Sequence, residues 1–391
     1  MRILFTGGGT GGHIYPIVAV ADELKKDTAR KRIDLELYYL GVPESFGYVL
    51  EKNGIVVRKI VSAKIRRYFD LRNIVDVPKF FISVLQAFWK VFWLMPDMLF
   101  SKGGTGSLPV AIACRFYRIP IIIHESDSVV GLSNTIVAKY AARIGISFLS
   151  AKDSLLGGFN KEKIRNKVSG KIALIGNPIR KFLITSNMYE TETQEDAKKN
   201  LGLDPQKPLI LVLGGSQGAV RMNDFFLLIS GELLANGYQV FHQTGIKNFE
   251  QFNKELNFTL KDELARKNYQ TISYFDENIK EAYLAADLIV SRAGSGSIFE
   301  IAAMAKPAIL IPLEESARNH QLQNAYEYSR TGAAVMVEES NLTPGIFMLQ
   351  IKKILGNPDS KKLMCEAARK FAKPEAAEVI AEEIIKLTQN S

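Results

Sequence analysis

One unit recurs four times along the chain and leaves few folds open: a short apolar run, a glycine-rich turn, then an apolar-periodic helix. Arg2 to Thr6 ends in Gly7-Gly8-Gly9-Thr10-Gly11-Gly12-His13, with a helix expected from Pro16 to Lys26. Met98 to Ser101 leads into Gly103-Gly104-Thr105-Gly106-Ser107 and an expected helix from Pro109 to Tyr117. Leu209 to Leu213 meets Gly214-Gly215-Ser216-Gln217-Gly218-Ala219, and Leu288 to Val290 meets Ser291 to Ser297 and a helix through Ala305. Further buried strands are expected at 34–40, 119–123, 172–175, 237–242, 270–274 and 307–311. Short apolar strands alternating with helices indicate parallel sheets covered on both faces. Two glycine-turn units in each half favour two similar α/β domains over one long sheet. The seam is expected at Gly176-Asn177-Pro178-Ile179-Arg180, followed by a polar linker near 185–200. A helix-rich tail runs from Ser360 to Gln389, with Pro374 starting its last helix.

Composition agrees with a folded, multidomain chain. At about 150 residues per domain, 391 residues give two or three domains. With 47% hydrophobic and 23% charged residues, a disordered, collagen-like or multi-span membrane chain is excluded. Two cysteines, Cys114 and Cys365, make neither a disulfide framework nor a four-thiolate zinc site, which points to a reducing cytoplasm. The first residues enter a strand pattern without the regions of a signal peptide. The longest apolar stretch, Phe80 to Met95, is interrupted by Gln86 and Lys90 and falls short of the ~20 residues of a spanning helix. The net charge of +9 is uneven, with +13 on residues 1–180 and −4 on 181–391. The first half is therefore expected to meet an anion: nucleic acid, an anionic membrane surface or a phosphorylated substrate.

A glycine turn between strand and helix aims backbone amides and the positive end of the helix dipole at an anion. A P-loop needs Gly-Lys-Ser/Thr, whereas Gly12 is followed by His13. A dinucleotide site needs an acidic residue at the end of the second strand, which here reads Tyr38-Tyr39-Leu40-Gly41. A sugar-nucleotide or phosphosugar site has neither requirement, and a plain tight turn also stays open. All four histidines, His13, His124, His242 and His320, fall at strand ends or turns, where doubly wound sheets bind ligands. No Asp-x-Asp occurs, so no metal-bridging aspartate pair is expected.

Seven segments in register carry a resemblance. Gly8 to His13, His124-Glu125, Gly176 to Arg180, Gly214 to Ala219, His242-Gln243-Thr244-Gly245, Ser291 to Glu300, and His320 to Ala325 together resemble the MurG family. These enzymes move GlcNAc from UDP-GlcNAc onto undecaprenyl-diphosphate-linked MurNAc-pentapeptide, and the resemblance spans essentially the whole chain. It implies a GT-B architecture: two Rossmann-like parallel-sheet domains facing a central cleft, residues 1–178 taking the acceptor and 179–364 the donor. It also implies that a C-terminal helix, residues 365–391, returns to the first domain. The transfer is implied to be inverting and metal-independent, without a cofactor.

The same resemblance assigns roles. Glu300 is implied to hold the ribose hydroxyls, since a carboxylate's two oxygens accept from vicinal donors. Ser216, Gln217 and Gly218 are implied at the donor phosphates, Ala293, Gly294 and Ser295 in the adjoining turn, and Arg180 reaching in from the seam. Gln321 is implied to read the sugar, with Gln323 and Asn324 in support, while Thr10, Gly11, Gly12 and Asp127 complete the donor contacts. The turns around Gly9 and around Gly103, Gly104, Thr105 and Gly106 are implied to bind the lipid diphosphate. His13 is the favoured general base for the MurNAc 4-hydroxyl, with Glu125 its rival or orienting partner; an imidazole suits that role. Three positions depart from the family's usual pattern: Thr105 where an aromatic is common, Ser126-Asp127 where Gln-Asn is common, and Asp276 where an apolar residue is common.

Residues 64–96 combine cations (Lys64, Arg66, Arg67, Arg72, Lys79, Lys90) with aromatics, including both tryptophans. Phe80, Phe81, Phe88, Trp89 and Trp93 are the expected contacts with an anionic membrane, peripheral and on its cytoplasmic face. The competing reading packs them into the core. Competing functions are another GT-B enzyme using a UDP-sugar and a different acceptor, a UDP-GlcNAc 2-epimerase, and a nucleic-acid-binding module. The last accounts for the charge but not for the four ordered glycine turns. The expected partners are UDP-GlcNAc and the polyprenyl-diphosphate-linked MurNAc-peptide, with no nucleic acid.

Overall fold

The computed structural model describes residues 1–61, 73–104, 106–184, 193–215, 218–275 and 278–389. It divides into two compact units, Met1–Lys181 with Lys373–Ser391, and Phe182–Ala372.

Among the described residues the first unit holds seven strands: β1 (Arg2–Thr6), β2 (Glu36–Gly41), β3 (Val56–Lys59), β4 (Met98–Ser101), β5 (Ile121–Glu125), β6 (Arg143–Ile146) and β7 (Ile172–Leu174). They form one parallel sheet in the order β3-β2-β1-β4-β5-β6-β7. Alternate residues of a strand face opposite sides of its sheet, and here both sides are apolar. Ile3, Phe5, Met98, Phe100 and Ile122 pack against the helix Gly11–Lys31 and the C-terminal helix Ala376–Gln389. Leu4, Leu99, Ile121, Ile123 and Ile144 pack on the opposite face, with the helices Ser107–Phe116 and Asn73–Leu94.

The second unit holds β8 (Leu209–Leu213), β9 (Gln239–Gln243), β10 (Tyr269–Ile272), β11 (Leu288–Ser291), β12 (Ala308–Leu310) and β13 (Ala334–Met336), also parallel, in the order β10-β9-β8-β11-β12-β13. The helix Pro358–Phe371 stays with this unit, its Phe371 ring 5.1 Å from Phe299 and 4.9 Å from Tyr328. The sequence reading starts the returning helix at 365; only Ala376–Gln389, beyond Pro374, packs on the first sheet.

The four strands that end in glycine turns are β1 and β4 in one sheet, β8 and β11 in the other. Each pair is adjacent, and strand order reverses direction between its members. In doubly wound sheets that switch point, at the carboxyl ends of the strands, is where ligands bind. The turns therefore lie where the topology puts a site.

One helix boundary moves a key residue. The sequence reading begins the first helix at Pro16, but it begins at Gly11 and runs over the proline. Burial of Ile14, Ile17, Val18 and Val20 outweighs the cost of an interior proline. His13 thus stands in the first turn of a helix instead of ending a loop.

Candidate active site

In the first unit the β1 turn is fixed from below. The Tyr39 hydroxyl donates to the Gly7 carbonyl (2.8 Å), and Thr6 Oγ1 donates to the Leu40 carbonyl (2.7 Å). There is no room for side chains: a Cβ on Gly9 would lie 2.6 Å from the Val42 oxygen. A Cβ on Gly104, whose φ is +84°, would lie 2.9 Å from the Gly8 nitrogen and 3.3 Å from His13 Nε2. The β1 and β4 turns are thus in direct contact, and glycine is required for that approach. Thr10 is the N-cap of the first helix, yet its hydroxyl does not cap a backbone amide; it lies 3.0 Å from His13 Nδ1. When Nδ1–H donates to Thr10, the lone pair of Nε2 faces the Gly104 turn. Thr10 and Gly12 are exposed and His13 is partly so, at a helix N-terminus whose first amides lack intrahelical acceptors. This corner gathers Gly9 to His13 with Gly103 and Gly104. Gly106 starts the next helix with φ +89°, and Thr105 lies outside the described residues.

Glu125 sits differently. It is buried at the end of β5, and its two oxygens accept from the amides of Asp127 (3.2 Å) and Gly131 (3.0 Å) and from Asn134 Nδ2 (3.0 Å). Burial, then the nearby Asp127 charge, raises its pKa. These bonds make it the organiser of the loop 126–134 and favour His13 of the two candidate bases.

The histidines divide. His124 is buried, its Nε2 2.8 Å from the Gly176 carbonyl, which can only accept. His242 is buried among Phe226, Phe252 and Tyr269, with Nδ1 2.9 Å from the Tyr269 hydroxyl. Burial depresses His242 to about 3 and holds His124 well below the usual imidazole value. The expectation that all four histidines stand where chemistry occurs is corrected for these two: they are neutral core residues. His13 and His320 are partly exposed.

In the second unit Gly294 is the N-cap of the helix Ser295–Ala303, so Ser295 to Ser297, expected in the turn, already belong to the helix. Glu300 is 9% exposed, and the Tyr283 hydroxyl donates to its Oε2 (3.0 Å). Ser295 Oγ is buried without a hydrogen-bond partner among the described residues. Gln321 Oε1 accepts from the Leu313 amide (3.0 Å), which orients its side chain. Asn324 is fully buried, and its Nδ2 donates to the Ala293 carbonyl (3.2 Å), so it braces the turn. Gln323 is exposed. Arg318 and Asn319 adopt consecutive left-handed conformations (φ 58° and 55°) just before His320 and Gln321, strain of the kind that gathers at functional sites. At Gly218, φ is +78° and a Cβ would strike Asn248 Nδ2 and the Thr244 oxygen. Ser216, Gln217 and Asp276 lie outside the described residues. Arg180 lies in the first unit, its guanidinium 5.0 Å from the Tyr15 ring centroid.

The chain has counterparts among known proteins. Residues 3–146 match the glycosyltransferase family 28 N-terminal domain and residues 209–380 its C-terminal domain. A Clostridioides difficile (strain 630) protein named UDP-N-acetylglucosamine--N-acetylmuramyl-(pentapeptide) pyrophosphoryl-undecaprenol N-acetylglucosamine transferase is 30% identical over 388 residues, covering 99% of this chain and 89% of its own length. A Bacillus thuringiensis subsp. konkukian (strain 97-27) protein of the same name, numbered 2, is 32% identical, covering 98% and 99%. The crystal structure of Acinetobacter baumannii MurG superposes with a TM-score of 0.69 at 24% identity, covering 98% and 99%. The chain belongs to the MurG family.

Its fold is accordingly the α/β, two-sheet GT-B type of that family. Two features were not foreseen from its sequence. Tyr283, from the preceding helix Ile279–Ala285, orients Glu300; the signal was an aromatic with a hydroxyl at a buried helical position. Lys102, in the β4 turn, is fully buried: its ammonium meets His124 Nδ1 (2.5 Å), Ser126 Oγ (2.6 Å) and Asn177 Oδ1 (3.1 Å). That contact gives Ser126, one of the departures from the family pattern, a structural role.

The aromatic stretch is also resolved in part. The helix Asn73–Leu94 buries Ser83, Ala87 and Val91, packing beside the helix Ser107–Phe116. It exposes Val77, Phe81, Leu85, Trp89 and Trp93, a stripe of period four, with Phe92 and Phe116 beside it. Phe80 and Phe88, expected at the membrane, pack instead against the core, Phe88 with its ring 5.0 Å from Phe116 and 5.9 Å from Tyr117. By length and composition Asp76–Leu94 passes as a membrane span, against the sequence expectation, yet its inner face is built into the first unit. Lys64, Arg66, Arg67 and Arg72 lie outside the described residues.

Proposed function

We propose that this chain transfers GlcNAc from UDP-GlcNAc to the MurNAc 4-hydroxyl of a polyprenyl-diphosphate-linked MurNAc-pentapeptide, with inversion at the anomeric carbon. The observation that carries this reading is similarity along nearly the whole length of both chains to transferases bearing that name. Glu300, oriented by Tyr283, accepts from the two ribose hydroxyls. Gln321, with Oε1 already engaged, offers its amide N–H to the sugar. The turns after β8 and β11 and the N-terminus of Ser295–Ala303 hold the diphosphate with main-chain amides and the helix dipole. Gly9 and Gly103 to Gly106 take the acceptor's diphosphate, and Thr10, Gly11 and Gly12 contact the donor. His13 Nε2 removes the 4-hydroxyl proton as that oxygen bonds to C1 of GlcNAc, the C1–phosphate bond breaks and UDP departs. Thr10 holds the imidazole in the tautomer this needs. The donor roles of Arg180 and Asp127 and the domain boundary near 178 belong to the same proposal.

The acceptor is a lipid, and the exposed stripe Val77, Phe81, Leu85, Trp89 and Trp93 is suited to a peripheral contact with an anionic membrane on its cytoplasmic face. The test of this reading is transfer from UDP-GlcNAc to a short-chain acceptor analogue. Transfer dependent on both substrates supports it. Turnover of UDP-GlcNAc without acceptor, or of a different glycolipid only, contradicts it.

A further inference from the structure

We propose that Lys102 is a positioning residue for the acceptor: its buried ammonium ties the β4 glycine turn to the loops after β5 and β7 and so fixes that turn to receive an anionic diphosphate. This rests on the functional reading above and deepens it, since no role has been assigned to Lys102.

The argument begins with proton counting. The Gly176 carbonyl can only accept, so His124 Nε2 carries the proton and Nδ1 is an acceptor. Lys102 Nζ therefore faces three acceptors, His124 Nδ1, Ser126 Oγ and Asn177 Oδ1, one for each ammonium proton. The Ser126 hydroxyl in turn donates to Asn177 Oδ1 (3.2 Å). The network suits the charged lysine and directs all its protons inward. Its members come from the carboxyl edge of the sheet: the turn after β4, the end of β5 with the loop that follows, and the segment after β7. Directly above lies the contact between the glycine turns, where a Cβ on Gly7 would lie 3.3 Å from Lys102 Cβ. Gly103 and Gly104, with φ of +76° and +84°, follow Lys102 in sequence, so anchoring its side chain anchors their amides.

The ionisable groups facing Lys102 are His124, which is neutral, and Glu125 and Asp127, whose charges favour the ammonium. Burial opposes them more strongly and lowers the lysine to about 7. The amine form has only two protons for three acceptors. Acceptor use should therefore fall as pH rises through this value, while donor binding in the other unit should not.

Lys102→Met keeps the stem and removes the ammonium; Ser126→Ala removes one acceptor and leaves the lysine. Steady-state transfer from UDP-GlcNAc to a short-chain acceptor analogue is followed between pH 6 and 10 for the full chain and both variants. Lys102→Met is expected to raise the acceptor KM about tenfold or more, the worth of a lost charged hydrogen bond. The KM for UDP-GlcNAc should stay within about twofold, and the alkaline fall in acceptor kcat/KM should disappear. Ser126→Ala should move that fall to lower pH, since one bond to the charged form is gone. If Lys102→Met does not fold, the Ser126→Ala profile decides. An unchanged acceptor KM, or an alkaline fall that persists in Lys102→Met or does not move in Ser126→Ala, overturns the proposal while the functional reading stands. Absence of transfer by the unaltered chain overturns both.

Discussion

The sharpest consequence of the donor half concerns Glu300. Its Oε2 accepts from Tyr283, and in the proposed role its carboxylate also accepts from two ribose hydroxyls. Glu300→Gln keeps the shape and the Tyr283 contact but removes the charge and replaces one acceptor with a donor. A hydrogen bond to a charged group contributes about 1.5–3 kcal/mol, a neutral one about 0.5–1.5. Weakening two such bonds costs about 2 kcal/mol, or about thirtyfold in the Kd for UDP at 1.4 kcal/mol per decade. Glu300→Ala also leaves the buried Tyr283 hydroxyl without this acceptor, so its loss should be larger still. Tyr283→Phe, which removes that one contact and keeps the carboxylate, should weaken UDP by only about fivefold. Titration calorimetry with UDP measures all three, with thermal unfolding as the control for folding. Glu300→Gln binding UDP within about threefold of the unaltered chain would refute the reasoning, as would Tyr283→Phe proving worse than Glu300→Ala.

Other outcomes follow from the same geometry. His13→Ala should lower kcat by about 10²–10⁴ with little change in either KM, measured in steady-state transfer; a comparable loss from Thr10→Ala would show that the N-cap does more than orient. Gly104→Ala should cost more than ~1 kcal/mol in denaturant unfolding and raise the acceptor KM, because its Cβ meets the Gly8 nitrogen and its φ is +84°. Trp89→Ser with Trp93→Ser should reduce co-sedimentation with anionic vesicles about tenfold or more while leaving Tm unchanged, since both rings are exposed. His242, held near 3 when folded and near 6.5 when unfolded, gives stability that is full above pH 6.5 and is lost as pH falls toward 3. The slope approaches about 1.4 kcal/mol per pH unit, and unfolding of His242→Phe should lack that component.

What the sequence disclosed follows from how local each signal is. The glycine turns marked β1, β4, β8 and β11, the strands beside the two switch points; after the first three a left-handed or crowded backbone calls for glycine, whereas Gly294 and Gly296 after β11 are neither. Strands β3, β6 and β13 escaped. The first is largely exposed with Arg58 and Lys59, the third is a three-residue edge, and β6 contains Gly145, where a Cβ would strike Ile175. Pro16 hid the true start of the first helix, because propensity is local and the burial that overrides it is not. The same limit explains His124, His242 and Lys102. A lysine in a glycine turn reads as solvated, and only partners 22, 24 and 75 residues away make it a buried cation. The stretch was legible as aromatics among cations, but which rings face outward depended on packing against Phe116 and Tyr117.

The central claim is inverting transfer to a specific hydroxyl, and the linkage in the product tests it most directly. The account predicts that NMR of the product formed from UDP-GlcNAc and the acceptor analogue shows one GlcNAc, β-linked to O4 of MurNAc, with one UDP released per linkage. An α linkage, or GlcNAc at another position, would contradict it.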